Sequence, residues 1–317
     1  MSVVAITFSS LTHVQFWLGV CVLAAIYGVF SLGLQINIGY TGIYNFGQVG
    51  FMAIGAYSMA TLVVKAHLSF WLALPIASGI TVIFAFALGL LGLRLRSHYF
   101  AIATISFAEI ARYVIQNLHV TGGTLGLLGF ATDWMHISAW MSNRLHLGPS
   151  YYLVPLLIVS WALFLLAVVA VRLLLHTPWG RVLRGIREDE DAVRALGKHT
   201  LVFKMQSLAV AAFLGSLSGY LLALYLNYLS PDAFTSDTTF IAYAMLVIAG
   251  LGSLMGIMLG ALFIEFILEG TRFINLPLSD TRVASIRFII IGLVLIVGMA
   301  LRPQGLFGKR AEMVAGE

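Results

Sequence analysis

The chain alternates long apolar runs with short polar breaks, and the runs have the length of membrane spans. A hydrocarbon core of about 30 Å needs roughly 20 apolar residues of helix to cross it. The pattern predicts spans at Phe16 to Ile36, Gln48 to Val64, Phe70 to Leu93, Phe100 to Leu118, Tyr151 to Leu175, Leu201 to Leu226, Thr238 to Gly250, Leu254 to Gly270 and Val283 to Leu301. The expected fold class is therefore all-α, a polytopic integral membrane protein with about nine transmembrane helices, within a range of roughly eight to ten, one or more of them broken or short. Residues 1–317 are expected to form a single transmembrane domain, with one polar loop at 177–200. Thr238 to Gly270 reads either as one long tilted helix or as two short ones. The break Gly250-Leu251-Gly252-Ser253 and the parity of the tail favour two.

Composition agrees with the pattern: 60% of the 317 residues are hydrophobic and 10% charged, against roughly 25% charge in soluble domains. No Lys or Arg precedes the first apolar run, and no small-residue cleavage site follows it, so a retained helix is expected rather than a removable signal peptide. Cys21 is the only cysteine, which excludes an internal disulfide and a multi-Cys metal site. His13, His67, His119, His136 and His146 lie near ends and loops without metal-ligand spacing, and read as solvated or interfacial. The net charge of +5 matters less than where each cation falls. With the 177–200 loop inside, twelve of the 18 Lys and Arg, including Arg94, Arg172, Arg181 and Arg310, lie on that side. Six, among them Lys65 and Arg112, lie outside or within spans. This asymmetry predicts an external N-terminus and a cytoplasmic C-terminus.

Two polar features interrupt the apolar pattern. The first, Asn37-Ile38-Gly39-Tyr40-Thr41-Gly42-Ile43-Tyr44-Asn45-Phe46-Gly47-Gln48-Val49-Gly50, is rich in glycine and uncharged polar groups. Irregular backbone at membrane depth must be satisfied by protein or by a water-filled cavity, which is how transporters build mid-membrane sites from broken helices. An ordinary cytoplasmic turn is the other reading, and the residues alone leave both open. Gly215 and Gly219, like Gly252, Gly256 and Gly260, have the small-xxx-small spacing of close helix packing. Within spans, Glu109 and Arg112 stand three apart and read as a local pair in preference to a relay. Glu265 and Glu269, with Arg272 beyond, are expected at the outer interface.

The second feature is the island Thr177 to Thr200, TPWGRVLRGIREDEDAVRALGKHT. Its segment Arg187 to Gly197 reads as a short helix with acids at the start, an apolar strip of Ala192, Ala195 and Leu196, and Gly197 as a stop. A solvated loop carrying charge for topology is the plainer alternative. The strip and the capped ends favour docking to another protein. The chain has no G-x-x-x-x-G-K-[ST], since Lys198 is followed by His199 and Lys309 by Arg310, and no H-E-x-x-H. It is not expected to be an enzyme. Transport energised by nucleotide would need a separate ATPase, and the island is the inside surface on which one could dock.

The island resembles the coupling loop of ABC importer permeases, whose pattern is E-A-A, three residues, then G. Asp191-Ala192-Val193 and Gly197 fill those places, with Asp for Glu and Val for the second Ala. Together with GRVLRGIREDE, the early GYTGIYNFGQVGFMAIGAY and the terminal LRPQGLFGK, it is similar to the LivM-type permeases of branched-chain amino acid ABC importers, over nearly the whole chain. The resemblance implies a heteromeric pump in a bacterial plasma membrane. Its parts would be this subunit, a second related permease, two cytoplasmic ATPases that hydrolyse the ATP, and an extracytoplasmic solute-binding protein. No cofactor bound by this chain and no nucleic-acid partner is implied. It also implies roles for residues: Arg187, Glu188, Asp189, Glu190, Asp191, Ala192, Val193 and Gly197 in ATPase coupling, and Thr41, Gly42, Tyr44, Asn45, Gly47 and Gln48 in the substrate pathway. The solute is left open between branched-chain or other amino acids and urea or short amides. A secondary carrier, a passive channel and a membrane scaffold that recruits a partner through the loop are the readings from other classes.

Overall fold

The computed structural model describes residues 14–95, 97–270 and a few positions between 289 and 297. Its elements are α1 (Val14–Leu34), a π-helical extension (Gln35–Thr41), α2 (Gln48–Val64), α3 (Phe70–Gly92), α4 (Ser97–Asn117), α5 (Thr132–Arg144), α6 (Val154–His176), α7 (Pro178–Glu188), α8 (Glu190–Ala195), α9 (Thr200–Leu226), α10 (Asp237–Ala249) and α11 (Leu254–Gly270). There is no strand among the described residues, and one isolated bridge pairs Leu127 with Leu229.

Among the described residues, four helices are long and apolar enough to cross a membrane: Val14–Thr41, Phe70–Gly92, Val154–His176 and Thr200–Leu226. The apolar windows of the first and last are 78% buried, against 33% for the other two, so α1 and α9 are central and α3 and α6 peripheral. A helix apolar on all sides is a buried one, and α2, shorter at 17 residues, fits that description between α3 and α9. Its contact with α9 is close because the α9 face carries Gly215 against Gln48 and Phe51, and Gly219 against Met52. With no hydrophobic drive between helices in lipid, such small-residue faces supply the packing. Gly256 and Gly260 serve the same purpose between α11 and α10, against Ala249 and Met245.

The first eight expected spans agree with the helices to within a few residues, and Thr238 to Gly270 is two helices separated at 250–253. Three expectations change. The first helix does not stop at Ile36 but runs on as π turns to Thr41. Arg187 to Gly197 is not one helix: Asp189 is extended (φ −153°, ψ 103°), so Arg187 and Glu188 end α7 and Glu190 begins α8. Between α4 and α6, where the hydrophobic pattern predicts no element, lies α5, a more polar helix that buries Trp134 alone. The ninth expected span, Val283 to Leu301, lies outside the described residues apart from those few positions.

Candidate functional site

The break between α1 and α2 is deep in the protein. Asn37, Asn45 and Gln48 are fully buried and Thr41 is 2% exposed. Gln48 Nε2 donates to the Ala211 carbonyl at 2.8 Å, eleven residues past the start of α9, or about 16 Å along the helix. An ordinary surface turn is therefore excluded.

Several of its backbone groups are satisfied by side chains, most of them from other elements, as buried irregular backbone requires. Thr41 Oγ1 lies 2.9 Å from the Ile36 carbonyl oxygen and 2.7 Å from Ser207 Oγ on α9, which lies 3.1 Å from Asn37 Oδ1, and the two hydroxyl protons serve two of these three contacts at a time. The Phe46 amide donates to Thr104 Oγ1 on α4 (3.0 Å) and the Val49 amide to Thr239 Oγ1 on α10 (3.2 Å). The Tyr243 hydroxyl of α10 donates to the Asn45 carbonyl at 2.9 Å. Within the break, Asn45 Nδ2 donates to Gln48 Oε1 and Asn45 Oδ1 accepts from the Gly47 amide. Gly42 turns the chain at φ +74°, the left-handed region open to glycine, and Gly47 lies against the Thr104 backbone with no room for a side chain. Tyr44 is 43% exposed, the Phe46 ring packs 4.6 Å from that of Tyr243, and the Tyr40 hydroxyl donates to the Gly252 carbonyl at 2.9 Å. The two interrupted segments, 35–47 and 250–253, thus meet.

The island forms a compact helical pair at the α6–α9 end. Pro178 stands in the first turn of α7, where its missing N–H costs nothing. Gly180, Leu183 and Ile186 face the protein. Asp189 caps α8 by accepting from the Asp191 and Ala192 amides at 2.9 and 3.0 Å. At the other end the Gly197 amide donates to the Arg194 carbonyl and the Lys198 amide to the Val193 carbonyl, the paired bonds of a glycine-terminated helix.

The eight island residues expected to contact a partner divide into two sets. Glu188, Asp189, Asp191, Ala192 and Gly197 are exposed, as is Leu196 at 79%. Arg187, Glu190 and Val193 turn inward. Val193 is buried and packs beside Gly185 of α7. Glu190 ties α8 to α9, accepting from Lys204, from Thr200 Oγ1 at 2.8 Å and from Arg194 Nη2 at 2.7 Å. Burial pushes its carboxyl up, but the hydrogen bonds from Lys204 and Thr200 and the charges of Lys204 and Arg194 outweigh that and hold it below its ordinary value. Arg187 reaches the break itself, donating through Nη1 to the Gly39 carbonyl.

Glu109 and Arg112 are the expected pair, at 2.8 Å, and the pair extends to Ser236, whose hydroxyl donates to Glu109 Oε1 at 2.7 Å. Glu265 departs from expectation. It is 2% exposed, lining with Glu269, Tyr27, Tyr225 and Thr238 a cavity of about 250 Å³, because α10 and α1 close over that face of α11. The roles of Ser207, Thr104 and Thr239 escape a reading of the sequence, since each is a single hydroxyl on an apolar helix with no local signal. The inward aim of Arg187 does have one. It follows Gly180, Leu183 and Ile186 at helical spacing, on the buried stripe of α7.

A family model described as "Branched-chain amino acid transport system / permease component" matches residues 16–299. The chain belongs to that family. It is 32% identical over 301 residues to the high-affinity branched-chain amino acid transport system permease protein LivM of Escherichia coli (strain K12), with 90% of this chain and 69% of that protein covered. It is 31% identical over 307 residues to the Salmonella typhimurium protein of the same name, with the same coverage. The probable branched-chain amino acid transport permease protein LivM of Methanocaldococcus jannaschii is 23% identical over 328 residues, covering 90% and 91% of the two chains. No solved structure matches. The matched span takes in both the break and the island, so this branched-chain permease family member carries the two features within the region that defines its family.

Proposed function

We propose that the chain is a permease subunit of an ATP-driven importer for branched-chain or related amino acids. The segment Thr41 to Gln48 lines its share of the translocation path. A second related permease completes the path, two cytoplasmic ATPases hydrolyse the ATP, and an extracytoplasmic binding protein delivers the solute. The N-terminus is external, while the C-terminus and the island are cytoplasmic. Family membership supports the reading, as do relatives named as branched-chain amino acid permeases. The observation that carries it is the direct contact between island and break: a Cβ added to Gly42 would stand 3.4 Å from the Arg187 Cα. Movement of an exposed docking surface on α8 would reach the deep break through one short pair of packed helices.

The test is leucine uptake into vesicles holding this chain with its partner permease, ATPases and binding protein. Uptake should require ATP, and uptake that persists down a gradient without ATP would establish a passive channel instead. Orientation is checked separately. In a Cys21→Ser background and intact cells, a membrane-impermeant thiol reagent should modify Lys65→Cys and leave Glu188→Cys untouched. External labelling of Glu188→Cys would reverse the topology.

A further inference from the structure

The π-helical extension ends at Thr41, and the last carbonyls of any helix lack backbone donors from their own turns. They also form the negative end of the helix dipole, which cations stabilise. Gly39 and Thr41 at that end are buried, so water is a poor substitute partner for their carbonyls. Backbone amides farther on serve only one of these groups: Gly42 and Ile43 both donate to the Asn37 carbonyl. The Gly39 carbonyl receives the guanidinium of Arg187, from the last turn of α7. The Arg187 side chain is 23% exposed and makes a second contact with Glu188 at 3.2 Å, so it is held in place from both sides.

We infer that Arg187 is a coupling latch: it caps the broken first helix from the island and holds the break shut until α7 and α8 are moved. Drawing α7 away by a few ångströms removes a charged donor from a buried carbonyl. A buried unpaired carbonyl is costly in a setting of low dielectric, so the break must then rearrange or admit water. π turns are rare interruptions of the α-helical ladder that recur at functional sites, and so suit such a change. A second route runs in parallel. Glu190 on α8 holds Lys204 and Trp179 on α7 donates to Gln206, both within one turn of Ser207, which bonds Thr41 and Asn37. The island therefore grips the break directly through Arg187 and indirectly through α9. Arg187 is a positioning residue, with no contact to solute required of it.

The inference rests on the importer reading only where it concerns ATP, and the test separates the two. The reporter is Ile43→Cys, at a buried position outside the side-chain hydrogen-bond network, in a Cys21→Ser background. The complex sits in inside-out vesicles without ATP and is treated with a charged methanethiosulfonate reagent. With Arg187 intact, labelling should be slow. Arg187→Ala should accelerate it at least tenfold, and Arg187→Met, which keeps the length of the side chain and removes the donors, should do likewise. Arg187→Lys, a cationic donor without the planar fork, should restore part of the protection. Equal labelling in the intact protein and whichever of the Ala or Met variants is recovered in membranes overturns the latch. In the functional arm, Arg187→Ala complexes should retain their ATPases and continue hydrolysis while leucine uptake falls at least tenfold. Normal coupling in that variant also overturns the latch. If the unaltered complex shows no ATP-dependent leucine uptake, the importer reading fails and the labelling result decides the latch alone.

Discussion

Ala192→Arg is expected to release the ATPase subunits or uncouple their hydrolysis, and to cut leucine uptake at least tenfold, with solute affinity of the separate binding protein unchanged. The prediction follows from how α8 divides its residues. Val193 is committed to packing on α7 and Glu190 to the Lys204 tie, so neither is free to meet a partner. Ala192, Ala195 and Leu196 remain as an exposed apolar strip beside exposed Asp191. An arginine at 192 puts a long cationic chain on that strip, where the proposed docking would bed a small side chain into a cleft of the ATPase. The helix itself should survive, because the site is exposed and Arg is a good helix former. Its cap, moreover, uses only the backbone amide of residue 192. A tenfold loss needs only about 1.4 kcal/mol of docking free energy, well within what one misfitted charge removes from a small interface. Co-purification of the ATPases and uptake are the two measurements. Full uptake with ATPases still bound would remove the strip from the coupling role.

How much of this can be read from the sequence depends on whether a feature announces itself locally. The α2 span Gln48–Val64 and the α11 span Leu254–Gly270 coincide with their expected bounds because glycine and polar residues punctuate both ends. The capped end of α8 is legible for the same reason, in Gly197. The π extension is not. Asn37 and Thr41 are polar residues in an apolar context, and their shared partner is Ser207, 166 positions beyond Thr41. Asp189 is hidden within a run of four acids, where helix-forming and helix-capping acids look alike until the chain is seen to turn extended at one of them. Glu265 reads as interfacial since a carboxyl is expensive to bury, and only the packing of α1 and α10 shows that it is enclosed. Arg187 counts among the topology-setting cations by its neighbours, although its place on the apolar stripe of α7 carries the information that it points inward.

Gly42→Val is expected to lower uptake at least tenfold while leaving the protein inserted and its partners assembled. Two effects act together there. At φ +74° an L side chain costs about 1–2 kcal/mol, and a β-branched one is a genuine outlier in that region. The new Cβ would also stand 3.2 Å from Arg187 Cγ, pressing on the contact between island and break. Neither effect touches the α2–α9 packing, so the fold should hold. Gly47→Val should behave differently, since its side chain would run into the Thr104 backbone and force α4 away; reduced recovery of assembled complex is expected as well as lost uptake. Gly42→Asn separates the two causes at Gly42. Asn tolerates the left-handed conformation but still adds a side chain beside Arg187. Uptake restored by Asn relative to Val would make backbone strain the main cause of the loss, whereas equal loss would make it crowding against Arg187. Normal uptake in all three variants would leave the break as buried connecting backbone with no part in the route.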